Sequence, residues 1–151
     1  MKHYIFYSLL FFAIAFTSCK KEFPDDPLAI NELSVSDCKT KGENSTAANP
    51  EYITIKTVDD YYLKFSHINS ILNCEPGKIT VSIEIKSDTI SVNETEESSL
   101  ANCLCPYDIE FRLGPFEYGH YPVKFQKAGL TFKEYSLDYN KSTNVRIDIH
   151  P

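Results

Sequence analysis

The chain has 151 residues, a formal charge of −6, five cysteines, five glycines and no tryptophan. That length is one domain's worth. An acidic balance with no Lys/Arg cluster beyond Lys20-Lys21 argues against a nucleic-acid partner, and no repeat or low-complexity segment interrupts the chain.

Lys2 and His3 open the sequence, and an almost unbroken apolar run from Tyr4 to Phe16 follows, closed by Thr17, Ser18, Cys19 and then Lys20-Lys21. Charged start, apolar centre and small residues make the order of a secretory signal. The run is shorter than the about 20 residues a spanning helix needs. Phe16-Thr17-Ser18-Cys19 resembles a lipobox, the site where bacterial lipoproteins are acylated and cut, with Phe16 where the usual pattern has leucine. Ser-Cys followed by lysines is similar to lipoprotein signals of the Bacteroidetes. The resemblance implies diacylglycerol on the Cys19 sulfur and an acyl group on its new amino terminus. Several chains, each stabilised by roughly 0.8 kcal/mol per buried CH₂, make a durable membrane anchor.

Removal of residues 1–18 takes 18 from 151 and leaves 133, and the loss of Lys2 moves the charge from −6 to −7. The expected organisation is a signal peptide over 1–18, a lipidated, flexible tether over 19–28 and a single domain over 29–151. The expected location is the outer membrane, at its periplasmic face or at the cell surface. Lys20-Lys21-Glu22 with Asp25-Asp26 partly resembles the acidic signal that sends such proteins outward.

After the charged, proline-bearing tether, a first strand is predicted through Ile30 to Val35, and the polar stretch from Lys39 to Pro50 is a long loop. Tyr52 to Thr57 and Tyr61 to Ile68, joined at Asp59-Asp60, form a hairpin. From Lys78 to Lys86, Ile79, Val81, Ile83 and Ile85 alternate with Thr80, Ser82 and Glu84, the clearest strand signal in the chain. Ser87-Asp88 turns it into Thr89 to Asn93. Alternation returns at Tyr107 to Leu113, Tyr121 to Phe125, Tyr135 to Tyr139 and Val145 to Ile149. No stretch carries a 3.6-residue period. Eight or nine short strands with polar turns predict an all-β, immunoglobulin/fibronectin-like antiparallel β-sandwich. Gly119-His120-Tyr121 after Leu113-Gly114-Pro115 adds to this, because Tyr121 stands where such sandwiches place a tyrosine whose hydroxyl bonds back to the loop.

Four cysteines remain in the domain: Cys38, Cys74, Cys103 and Cys105. An exported chain meets an oxidising compartment, so an even set reads as two disulfides. A Cys103–Cys105 bond is disfavoured, since residues two apart in a strand sit near the outer Cα limit with parallel side chains. Two pairings stay open: Cys38–Cys105 with Cys74–Cys103, which is preferred, or Cys38–Cys103 with Cys74–Cys105. The rival for Cys103-Leu104-Cys105 is zinc, whose paired cysteines usually stand two to four residues apart; no metal site is expected.

Asn73-Cys74-Glu75-Pro76-Gly77, then an alternating strand, then Cys103-Leu104-Cys105-Pro106-Tyr107-Asp108-Ile109 and Gly119-His120-Tyr121 recur in this order in one known group. The chain resembles a family of small, uncharacterised Bacteroidetes lipoproteins with Asn-Cys…Pro-Gly, Cys-x-Cys and Gly-x-Tyr motifs. Several members carry Cys-Cys where this chain has Cys74-Glu75. The resemblance implies no activity.

Candidate chemistry is sparse. Neither Gly-x-Ser-x-Gly, His-Glu-x-x-His nor a phosphate-binding glycine loop occurs, so no enzyme and no cofactor is expected; the alternative is a small hydrolase with an unrecognised site. His67 shares a strand face with Leu63 and Phe65 and reads as a satisfied core or edge histidine, while His150 is expected to fray. Glu94-Thr95-Glu96-Glu97 has oxygens for calcium but no fixed loop spacing, and reads as a solvated loop. Asp88-Thr89-Ile90 resembles the short Bacteroidetes O-glycosylation pattern, with Thr89 as acceptor. Phe116 and Tyr118 fall in a predicted loop and are candidates for an exposed platform that binds a glycan or peptide. The expected function is therefore a non-catalytic, lipid-anchored binding or accessory module for an envelope protein, peptide or glycan.

Overall fold

The computed structural model describes residues 23–39, 50–97 and 102–150. The signal, Cys19 and most of the loop after Lys39 lie outside them. Nine strands follow one another: β1 (Ala29–Val35), β2 (Tyr52–Val58), β3 (Tyr62–Asn73), β4 (Ile79–Lys86), β5 (Thr89–Glu96), β6 (Leu104–Gly114), β7 (Gly119–Lys127), β8 (Leu130–Tyr139) and β9 (Asn144–Asp148). Among the described residues there is no helix. The strands form two packed sheets, ordered β1-β6-β3-β2-β9 and β4-β5-β7-β8, and every pairing is antiparallel except β5–β7.

The alternating sequence explains the layering. Ile53 and Ile55, Leu63 and Phe65, Ile109, Phe111 and Leu113 point inward from the five-stranded sheet. Ile90, Val92, Val123, Phe125 and Leu137 meet them from the other. Burying a side chain of this size stabilises by about 1.5–3 kcal/mol each. The hairpin turns carry the backbone that tight turns demand: Ser87 and Asp88 have φ of 49° and 63°, and Ala128 and Gly129 have 47° and 80°, the left-handed pairs that match strand twist.

Several strands run longer than alternation predicts, β8, β3 and β5 among them. β8 begins at Leu130, because Thr131 to Glu134 pair with β7 through a register shift that breaks the simple pattern. β3 continues to Asn73 through a bulge between His67 and Ser70, with Asn69 at φ 59°. The extra residue resets the inward parity, so His67 lies inward before the bulge and Ser70 and Leu72 after it. β5 runs to Glu96, so the acidic run is not a solvated loop: Glu94 is buried at 3% exposure and Thr95 bonds the Thr80 hydroxyl at 2.7 Å.

Both disulfides lie at the end of the sandwich away from the start of β1. Cys38 joins Cys105 and Cys74 joins Cys103, with Cα separations of 5.7 and 5.6 Å. Since Cys103 and Cys105 go to different partners, neither thiolate is left for zinc. The bonds border a second small core of Leu72, Cys105, Tyr107 and Ile109.

Candidate functional site

A buried polar cluster stands beside the β3 bulge. His67 Nδ1 donates to Glu94 at 2.8 Å, and Nε2 donates to Glu51 at 3.0 Å. Lys127 Nζ reaches the same Glu51 oxygen at 2.9 Å, and the Ser70 hydroxyl donates to Glu94 at 3.2 Å. Phe132 stacks on the imidazole at a centroid distance of 5.7 Å. Two carboxylates, an imidazolium and an ammonium balance, as buried charges must. Burial works against charge on His67, but its bonds to Glu51 and Glu94 outweigh it and raise its pKa above the ordinary value. Burial likewise opposes the Glu51 carboxylate, yet the bonds from His67 and Lys127 hold it down at about 2. His67 is 2% exposed. With both nitrogens committed, it ties β3 to β5 directly and, through Glu51, to Lys127 of β7 across the two sheets. His67 is thus satisfied, as its strand face suggests, and His150 Nε2 lies 3.5 Å from Glu51.

A second histidine sits on the solvent face of β7. Ser136 Oγ lies 2.8 Å from His120 Nε2, and His120 Nδ1 lies 2.7 Å from Asp138. These are the contacts of a hydrolase triad in the right order. Their setting differs. His120 is 60% and Asp138 83% exposed, so water competes for the carboxylate that should orient the ring. Opposite Ser136 stands Pro122, which has no N–H to offer a developing oxyanion.

The outer face of the five-stranded sheet carries a groove centred on Arg112. One section of about 560 Å³ is lined by Asp26, Asn31, Glu32, Tyr62 and Arg112. The adjoining section of about 390 Å³ takes in Ser34, Asp59, Lys64 and Glu110. Arg112 lies 4.1 Å above the Tyr62 ring and pairs with Asp59 at 2.9 Å and Glu32 at 3.7 Å. Its Nε is buried and has no hydrogen-bond partner among the described residues. Asp59 and Glu32 are well exposed, at 67% and 73%, so both are able to yield the guanidinium fork to a ligand. The groove exists because β1 bulges between Asn31 and Ser34, with Glu32 at φ 56°, and leaves a gap beside β6.

Phe116 and Tyr118 do not make an exposed platform. β6 and β7 belong to opposite sheets, so the loop between them crosses the end of the sandwich and Phe116 plugs the core at 6% exposure. Its amide donates to the Tyr61 carbonyl at 2.7 Å. Tyr118 is half-buried, 5.7 Å from the Tyr61 ring and 5.1 Å from that of Tyr139. Gly114 precedes the cis bond to Pro115, and a Cβ there would stand 2.5 Å from the Tyr62 ring and 2.7 Å from the Tyr61 carbonyl. The Tyr121 hydroxyl donates to the Glu117 carbonyl at 3.0 Å, the bond expected of a tyrosine corner. Thr89 opens β5 beside the Ser87-Asp88 turn, partly exposed. The tether is not a free leash from Phe23 onward: Phe23 packs edge-on against Tyr61 at 5.0 Å, and Asp26 and Pro27 line the Arg112 groove.

Comparison with known proteins finds no family model, no curated protein and no solved structure that matches the chain. Sequence reasoning missed Glu51, Glu94 and Lys127 as partners of His67, and Arg112 as the centre of the groove. A signal for Glu94 was present: it sits at the inward parity of Ile90 and Val92, where an acid needs a buried cation.

Proposed function

We propose that this chain is a lipid-anchored, non-catalytic module of the bacterial outer membrane that binds a protein, peptide or glycan of the envelope. The groove around Arg112 carries this reading. Its larger section holds about 560 Å³ and is polar in lining, and it presents a planar cation over an aromatic ring, paired among the described residues with exposed acids. Such a fork takes carboxylates and other planar acceptors two bonds at a time. Two disulfides support the exported setting, because such bonds persist in oxidising compartments.

The test has two stages. Unreduced intact-mass and peptide mass spectrometry of protein from its native membrane should find acyl groups on Cys19 and four cross-linked cysteines. A photo-crosslinking residue placed at Asn31 should then capture a discrete envelope component, which one at Ser82 on the other sheet does not. Capture of the same species from both positions counts against the groove. The hydrolase alternative rests on the His120–Ser136–Asp138 array, and a fluorophosphonate probe decides it: labelling at Ser136 that is lost in His120→Ala supports an enzyme.

A further inference from the structure

The lipid anchor and the folded domain are separated by less free chain than the sequence indicates. Ten peptide steps lie between Cys19 and Ala29, a reach of about 36 Å. Eleven-residue β6 spans about 36 Å as well, so a free leash of that length would let either end of the sandwich touch the bilayer. Phe23 shortens it. Its ring meets Tyr61 at 5.0 Å, Tyr61 stacks on Tyr118 at 5.7 Å, and Tyr118 meets Tyr139 at 5.1 Å. Only four steps then remain between Cys19 and the first ring, about 14 Å at full extension.

We infer that the end of the sandwich bearing Phe23, Tyr61 and Tyr118 is its membrane-facing surface, and that the disulfide end points away. The inference rests on the reading of Cys19 as the lipidated residue, and the partner is the bilayer that holds those acyl chains. The chemistry of this end fits a headgroup layer. Phe23 is exposed, and Tyr61 and Tyr118 are half-buried; tyrosines with one apolar and one polar end favour that depth. Lys20-Lys21, beside the anchor, suits lipid phosphates. Asp59, Asp60, Asp88 and Glu117 crowd the same end, and the cost of stripping water from carboxylates stops the rings at the surface. The flanks are unsuited to contact, since the outer faces carry Lys64, Glu110 and Arg112 on one sheet and Lys124 and Glu134 on the other. The Arg112 groove would then open close to the membrane, where its partner must be reached.

The chain has no tryptophan, so single-tryptophan variants report cleanly. Glu117→Trp marks the tether end, and Leu130→Trp marks the opposite end at a residue 78% exposed. Each is purified acylated with disulfides intact and reconstituted into vesicles containing dansyl-labelled phosphatidylethanolamine. Energy transfer should be several-fold stronger from position 117 than from 130. Adding Phe23→Ala, with an unchanged circular dichroism spectrum, should shrink that difference. Equal transfer from an acylated protein, or stronger transfer from 130, overturns the orientation alone, and a difference that survives Phe23→Ala overturns the assignment of Phe23 as the contact that sets it. A protein that carries no acyl group and fails to float with vesicles overturns the lipoprotein reading, and the orientation with it.

Discussion

Replacing Glu51 by glutamine probes the buried cluster most directly, because one oxygen of Glu51 serves both His67 and Lys127. The carboxyl is held at about 2 against an ordinary 4.5, which at about 1.4 kcal/mol per pH unit amounts to roughly 3 kcal/mol of folding stability. A depressed acid contributes this fully above its unfolded value and loses it as pH falls through the folded one. The wild type should therefore lose stability from about pH 4.5 downward toward 2. His67 acts in the opposite sense: its raised pKa stabilises below the ordinary 6.5 and fades as pH rises through the folded value. Glu51→Gln should cost about 3 kcal/mol at pH 7, or roughly 10 °C in Tm for a domain of this size. It should also flatten the acid limb. Urea unfolding followed by circular dichroism, without reductant, at pH 7, 4.5 and 3 measures both effects. A loss below about 0.5 kcal/mol at pH 7, the level of an ordinary surface change, together with an unchanged acid limb would refute the account of the cluster.

Phe116→Ala should cost about 3–5 kcal/mol, the range for deleting a buried aromatic; a thermal melt little changed from wild type would return Phe116 to the surface. Tyr121→Phe removes only the hydroxyl that donates to Glu117, so denaturant titration should show a loss of about 1 kcal/mol. The disulfides close separations of 67 and 29 residues. Chain entropy then assigns about 4 kcal/mol to Cys38–Cys105 and about 3.5 to Cys74–Cys103. Paired alanine variants should lose stability in that order in unreduced urea titrations, and the reverse order would contradict the entropic argument.

The fold was more legible than the site. Period-two alternation marked most strands because a half-buried strand must present apolar residues to one face only. The reach of a disulfide argued only against Cys103–Cys105 and left two pairings open, of which the preferred one, Cys38–Cys105 with Cys74–Cys103, is formed. Alternation says which side chains share a face of their own strand. It is silent on which strands become neighbours and on which sheet each joins. Glu94, Glu51 and Lys127 come from three separate segments, and only the pairing of β2 with β3 and the stacking of β5 and β7 over them gather these side chains around His67. The bulge at Asn69 reverses parity within one strand, which a fixed period cannot register.

Phe116 shows the same division. By itself the sequence determined a turn rich in glycine, proline and aromatics between two strands, an acidic chain with four cysteines beyond Cys19, and the alternation of a sandwich. These are local properties of composition, spacing and backbone sterics. Whether that turn projects outward or folds over the core depended on β6 and β7 lying in opposite sheets. The seating of Phe23 on Tyr61 and the opening of the Arg112 groove depended on the same packing. Contacts between residues far apart in sequence are set by the burial of apolar surface across the whole chain, and only the tertiary structure decided them.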